Sequence, residues 1–173
     1  MEKLASEYVK DIRGLTLEGC KSEEFLREFE KGNSIVINRD CEKPYIKIKR
    51  GSRTYFTYYG IPSGNELLPF LNSLIWVVNG SVDLEAKGIS GEVKLFVTPS
   101  CTKCPFVAEL LYKLALVNDR MSLEIYDAEV YEEEASKFRV LSVPKIIING
   151  KEIPGSFLTR VLIEMMLRAS YSR

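Results

Sequence analysis

Phe96-Val97-Thr98-Pro99-Ser100-Cys101-Thr102-Lys103-Cys104-Pro105-Phe106 is the stretch around which the rest of the chain arranges itself. An apolar strand pattern over residues 93–97 runs straight into Cys-x-x-Cys. An apolar helical pattern starts at the second cysteine and continues to Val117. Cys101 therefore falls in the turn between strand and helix. There the helix dipole and its unpaired amides favour negative charge and turn a thiol into a nucleophile. Pro105 suits a helix's first turn, where its missing N–H is not needed. A zinc half-site and a pair of inert cysteines are the competing readings. Zinc needs two more ligands, yet the chain has no histidine, and Cys20 and Cys41 lie far upstream. Redox chemistry at Cys101 and Cys104 is the preferred reading of such a motif next to a βαβ pattern.

Downstream of the motif, Val107, Leu110, Leu111, Leu114 and Val117 share one helix face. Asn118-Asp119 breaks that helix. Residues 122–126 read as a strand with Leu123 and Ile125 inward, 132–138 as a short helix and 145–148 as a strand. Asn149-Gly150 is a type I′ hairpin signal leading to a return strand at 151–153. Leu158, Val161, Leu162, Met165, Met166 and Ala169 mark a last amphipathic helix. The order β-α-β-α-β-β-α predicts a four-stranded mixed sheet with helices on both faces.

Upstream, residues 1–13 predict a polar helix ended by Gly14, with Leu4, Tyr8 and Ile12 as its apolar points. A short strand at 15–18 is followed by Cys20 and by Ser22, a cap for a helix over 23–31. In that helix Phe25, Leu26 and Phe29 face a core. Strands follow at 34–38, 45–49 and 54–59. Pro62-Ser63-Gly64 opens a helix with Leu67, Leu71, Leu74, Ile75 and Val78 inward; Trp76 and the tyrosines read as packing residues. Glycines and small or charged residues then interrupt the apolar period. The organisation is a first unit at 1–80, a linker at 81–91 and a second unit at 92–173.

The 173 residues carry 24 Lys+Arg and 24 Asp+Glu, so net charge gives no reason to expect nucleic acid or an anionic membrane as partner. No secretory pattern opens the sequence. Its longest apolar-rich stretch, 67–78, is too short and too interrupted to span a bilayer. A cytoplasmic protein is expected. Glutamine is absent while Glu, Lys and Arg are plentiful, a composition that leans towards a thermophile. Hyperthermophile cytoplasm is the exception to the rule against intracellular disulfides.

Cys-x-x-Cys after the first strand, this order of elements, and Ser142-Val143-Pro144 before the third strand together resemble the thioredoxin fold. Residues 98–105 (Thr-Pro-Ser-Cys-Thr-Lys-Cys-Pro) and 143–150 (Val-Pro-Lys-Ile-Ile-Ile-Asn-Gly) resemble the C-terminal unit of the archaeal, glutaredoxin-like protein disulfide oxidoreductases. That family carries two thioredoxin-like units in tandem. Residues 59–66 (Tyr-Gly-Ile-Pro-Ser-Gly-Asn-Glu) look like a stretch late in its N-terminal unit. The resemblance implies an α/β fold of two tandem units. It also implies that Pro144 is cis beside the cysteines, turning the Val143 backbone towards an extended substrate peptide. Without the resemblance, a trans proline opening a strand is the simpler reading. Thr102, Lys103 and Pro99 complete the expected site. Thr102-Lys103 departs from the family's usual Pro-Tyr. Lys103 is close enough to favour the Cys101 thiolate, or is a solvated surface lysine. Leu95 stands where thioredoxin has a buried acidic proton acceptor, so the group that deprotonates Cys104 is open.

The first unit reads as a worn repeat of the second. Cys20 with its helix matches Cys101 with its helix, and Pro44 with its hairpin matches Pro144 with its own. The gap from cysteine to proline is much shorter in the first unit, because only a few residues join Asp40 to Pro44 in place of a helix. Either the parent topology survives or the strands form an antiparallel meander. Glu23 stands where a second cysteine belongs, so this unit cannot run a two-cysteine cycle. It is left to cover the second unit, carry a homodimer edge or shape a substrate groove. A Cys20–Cys41 disulfide is an option, but two free structural cysteines are preferred.

The expected activity is thiol–disulfide exchange on protein disulfides and dithiols, with Cys101 attacking and Cys104 resolving. It needs no cofactor beyond the redox-active disulfide. The family implies a flavoprotein disulfide reductase as electron donor. The alternative is a redox-sensing, metal-binding or iron–sulfur-binding module without turnover.

Overall fold

Two runs of four strands, each with the same internal order, join edge to edge into one sheet. The computed structural model describes residues 2–155 and 157–171. Residues 1, 156, 172 and 173, which the expected first helix and second unit include, lie outside the described residues. The strands are β1 (Thr16–Cys20), β2 (Ser34–Asn38), β3 (Tyr45–Arg50), β4 (Arg53–Tyr59), β5 (Gly91–Val97), β6 (Met121–Asp127), β7 (Lys145–Ile148) and β8 (Lys151–Pro154). Their order across the sheet is β2-β1-β3-β4-β6-β5-β7-β8. β1 is parallel to β2 and antiparallel to β3, which is antiparallel to β4. β5 bears the same relation to β6, β7 and β8. The first unit thus keeps the topology of the second and is not a meander. Parallel pairing of β4 with β6, from Phe56↔Leu123 to Tyr59↔Tyr126, fuses the two.

Among the described residues six α-helices clothe this sheet: α1 (Glu2–Val9), α2 (Glu23–Arg27), α3 (Leu67–Asn79), α4 (Cys104–Val117), α5 (Glu132–Lys137) and α6 (Thr159–Ala169). One core, continuous through both units, buries Leu26, Phe70, Leu74, Leu111, Leu114 and Leu162 against Ile46, Phe56, Val93 and Ile125. On the other face a small cluster of Phe96, Tyr126, Ala135 and Ile147 packs with α5. The second unit therefore has helices on both faces. The first unit has no helix between β2 and β3, so one face of its sheet stays open, and its strands alternate accordingly. Ile46 and Ile48 of β3 are fully buried, while Lys47 and Lys49 point the other way. Lys49 pairs with Glu18 at 2.6 Å, and Asn38 Nδ2 donates to Glu18 and to the Tyr45 hydroxyl, both at 2.8 Å. The Lys49 ammonium first, and Asn38 second, hold the Glu18 carboxyl below its ordinary pKa.

The hairpin signal holds: Asn149 and Gly150 both have positive φ, +50° and +79°, as a type I′ turn requires. Other local expectations are corrected. The first helix ends at Val9, and single turn bonds carry the chain on to the buried Ile12. The helix expected over 23–31 is regular only to Arg27, after which i→i+3 bonds tighten it through Glu30. Ser22 is not a side-chain cap; its hydroxyl donates to the Tyr45 carbonyl on β3. α3 turns Phe70, Leu71, Leu74 and Val77 fully inward, with Leu67, Ile75 and Val78 at the margin of that face.

The larger correction concerns Cys20 and Cys41. They are not free: they form a disulfide with Cα atoms 6.4 Å apart. With no helix between β2 and β3, the connecting loop folds back over the end of β1. This sets Cys41 against the fully buried Cys20, and Lys21 Nζ donates to the Glu42 carbonyl at 2.8 Å. Nor is Cys20 the counterpart of Cys101. Cys20 pairs with Tyr45, the residue after Pro44; the residue paired directly after Pro144 is Phe96. The first unit passes from β1 to α2 through Lys21 and Ser22 alone, without the segment that carries both cysteines in the second. Among the described residues the cis peptide is Val143–Pro144, so Pro44 is trans.

Candidate active site

Residues 98–103 carry the chain from β5, in the middle of its half-sheet, to α4. The Cys101 N–H donates to the Thr98 carbonyl at 3.2 Å, closing a tight turn. α4 then starts at Cys104, with Pro105 in its first turn. The Cys104 N–H, one of the helix's unpaired donors, points at Cys101 Sγ from 3.1 Å. The two cysteines are disulfide-bonded with Cα atoms 5.5 Å apart. Cys104 is 0% exposed, whereas Cys101 is partly exposed. The Val143 carbonyl oxygen lies 3.9 Å from Cys101 Sγ, before the cis bond to the buried Pro144. Gly155 lets the chain pass close behind: a Cβ there would stand 2.9 Å from the Pro144 carbonyl oxygen. The structure thus brings together Cys101, Cys104, Val143 and Pro144. Thr102 and Lys103 are exposed on the turn. Leu95 is fully buried in the main core.

Pro99 ties the site to the first unit. Its carbonyl accepts the Asn65 N–H at 2.9 Å, and Asn65 Nδ2 donates to the Cys101 carbonyl at 3.3 Å. Gly64, at φ +55°, makes this approach; a Cβ on it would lie 2.6 Å from the Pro99 carbonyl oxygen.

Asn65 is followed by the residue that sequence reasoning missed. Glu66 is 0% exposed, ends the 3-10 turn Gly64–Glu66 that packs on α4, and neither carboxylate oxygen has a hydrogen-bond partner. The hydroxyls of Tyr58 and Tyr112 are likewise buried and unpartnered. Burial pushes the Glu66 carboxyl up to about 8, with Asp127 and Glu109 adding to the rise. Burial, with Glu66 second or third in effect, also raises both tyrosines. The signal for Glu66 was present: it follows Gly-Asn in the 59–66 stretch and opens the apolar run Leu67-Leu68-Pro69-Phe70-Leu71 with no basic neighbour. Among the described residues no three His, Cys, Asp or Glu side chains are grouped to hold a metal ion, and no helix is long and apolar enough to cross a membrane.

Residues 1–80 match the family described as Thioredoxin-like domain, and residues 91–165 match the Thioredoxin domain family. Sso1120 from Sulfolobus solfataricus is 49% identical, with 87% of this chain and 97% of that chain covered at a TM-score of 0.82. The chain belongs to the tandem thioredoxin-like family. Two further proteins of known structure share the fold at lower identity. The NTD_N/C domain of alkylhydroperoxide reductase AhpF from Enterococcus faecalis is 20% identical, with 96% of this chain and 99% of that chain covered, TM-score 0.81. A protein disulfide oxidoreductase from Aeropyrum pernix is 19% identical, with 98% and 93% covered, TM-score 0.70. The alkyl hydroperoxide reductase AhpF of Pseudomonas aeruginosa is 28% identical over 121 residues, 65% of this chain. The tandem thioredoxin-like chain spans only 23% of that relative's length.

Proposed function

We propose that this tandem thioredoxin-like chain is a thiol–disulfide oxidoreductase acting on protein disulfides and dithiols through Cys101 and Cys104. The observation that carries the reading is the unequal exposure of a bonded pair: a partly exposed cysteine in the turn before a 14-residue helix, joined to a fully buried one at the helix's first position. In the reduced protein the Cys101 thiolate attacks one sulfur of a target disulfide. A Cys101–target bond forms, the target S–S bond breaks, and the other target sulfur leaves as thiolate. Cys104 then gives up its proton and attacks Cys101 Sγ. The Cys101–Cys104 disulfide forms and the target's second sulfur is released, so two electrons have passed to the target.

We assign the proton-acceptor role that Leu95 leaves vacant to Glu66, whose buried, unpartnered carboxyl sits on the turn that packs against α4. Its carboxyl is pushed up to about 8, so the ionised fraction that accepts a proton grows as pH rises towards that value. Val143 offers its carbonyl to the backbone of an extended substrate at the attacked sulfur. Thr102, Lys103 and Pro99 shape the turn.

The redox centre is covalent and needs no bound cofactor. A flavoprotein disulfide reductase is the proposed donor; the match to part of a reductase supports placing this chain beside one. The cytoplasm is the proposed location, since a thermophile-like composition makes room there for the Cys20–Cys41 disulfide. The test is insulin reduction by dithiothreitol. The protein should accelerate it, Cys101→Ser should abolish the acceleration, and Cys20→Ser with Cys41→Ser should leave it nearly intact. Equal rates with and without the protein would end the enzyme reading.

A further inference from the structure

α3 of the first unit and α4 of the second run side by side, and their N-terminal ends enclose a groove of about 450 Å³ next to the cysteines. Leu68 and Pro69 form one wall; Thr102, Pro105, Phe106 and Glu109 form the other. Phe106 is 78% exposed and Leu68 43%. Exposed singly, such residues need no explanation. Here they line one concavity beside a reactive sulfur, which marks a contact surface. We propose that this groove between the units is a subsite for the polypeptide substrate. It takes a bulky apolar side chain within a residue or two of the half-cystine that Cys101 attacks.

Continuity with the redox site identifies the occupant. Thr102 is at once a wall of the groove and the neighbour of Cys101, about 3.8 Å away along the backbone. A peptide joined to Cys101 advances ~3.3 Å per residue when extended, and the groove begins at Thr102, the residue next to Cys101. Asn65, which binds the Pro99 and Cys101 carbonyls, fixes the first unit's wall to the reacting loop. Further along, the Glu109 carboxylate accepts a hydrogen bond from Asn72 Nδ2 at 3.2 Å and faces the groove. The first unit, which has no Cys-x-x-Cys, thereby supplies half of a substrate surface.

The inference rests on the oxidoreductase reading, and its test separates the two. The probes are two synthetic peptide disulfides with phenylalanine or glycine beside the half-cystine, and the small aromatic disulfide 5,5′-dithiobis(2-nitrobenzoate). Wild-type protein should reduce the phenylalanine peptide with a kcat/KM about tenfold or more above that for the glycine peptide, the range expected for burying one large apolar side chain. Leu68→Glu and Phe106→Ser, both at exposed positions, should remove the preference through KM and leave the small disulfide's rate within about twofold of wild type. No preference in wild type, or a preference that survives both variants, overturns the subsite while small-disulfide turnover keeps the oxidoreductase reading. Loss of small-disulfide turnover in wild type overturns that reading instead. A concentration-dependent dimer of the wild type that both variants dissolve would assign the groove to a second copy of the chain and overturn the proposal.

Discussion

Replacing Glu66 by Gln makes the buried carboxyl measurable through stability. The carboxyl is held at about 8 in the folded protein against an ordinary 4.5. Between those values the unfolded chain has released this proton and the folded chain still holds it. The folded state therefore binds more protons, and its stability falls as pH rises from about 4.5 to about 8, then levels. At 1.36 kcal/mol per pKa unit, the carboxyl's contribution falls by about 5 kcal/mol across that window. For a chain of this length the same fall lowers Tm by roughly 10–20 °C. Gln fills nearly the same volume and does not titrate. Guanidinium unfolding of wild type and Glu66→Gln at pH 5 and pH 9, with both disulfides oxidised, isolates this group from the other carboxylates. The wild type should lose several kcal/mol more than the variant over that interval, and the variant should be the more stable protein at pH 9. Parallel pH profiles for the two proteins would refute the buried, unpartnered carboxyl and, with it, the proton acceptor assigned to Cys104.

Breaking the Cys20–Cys41 disulfide with Cys41→Ser should cost roughly 3 kcal/mol, the loop-closure value for a separation of 21 residues, read as a lower guanidinium midpoint with insulin reduction retained below the transition. Tyr131→Phe removes the hydroxyl that donates to the Pro44 carbonyl at 2.7 Å across the seam between the units, and should cost about 1 kcal/mol in the same assay. Lys103→Glu should slow alkylation of reduced Cys101 at low ionic strength, with the difference shrinking as salt is added; identical rates would leave Lys103 a solvated lysine. In the reduced wild type, alkylation at neutral pH should label Cys101 before the buried Cys104.

The second unit was legible because each element carries its own local signal. The apolar run into Cys-x-x-Cys, Pro105 in the first turn of α4, and Asn149-Gly150 with two positive φ angles are features of single segments. The cis state of Pro144 came from family resemblance, since sequence favours trans. The first unit hid more, because its departures are deletions. Counting residues from Cys20 to the following helix suggests a match to Cys101; only strand register shows that the intervening turn is gone. The Cys20–Cys41 bond depends on a loop folding back where a helix is missing, a distance no spacing rule contains. Glu66 opens an apolar run with no basic neighbour, but that local signal is outweighed in a sequence reading because an acidic residue opening a helix usually faces water and favours the helix dipole. Its burial follows from α4 closing over it, a contact between the units.

Capture of a substrate by the resolving-cysteine variant tests the central assignment most directly. Cys104→Ser leaves Cys101 able to attack but replaces the resolving thiolate with a hydroxyl, a far weaker nucleophile at neutral pH. Incubated with a disulfide-bonded protein and separated without reductant, this variant should accumulate a mixed disulfide through Cys101 that dithiothreitol releases. Cys101→Ser should accumulate none. Equal capture by the two variants would show that the cysteines have no ordered roles and would contradict the mechanism.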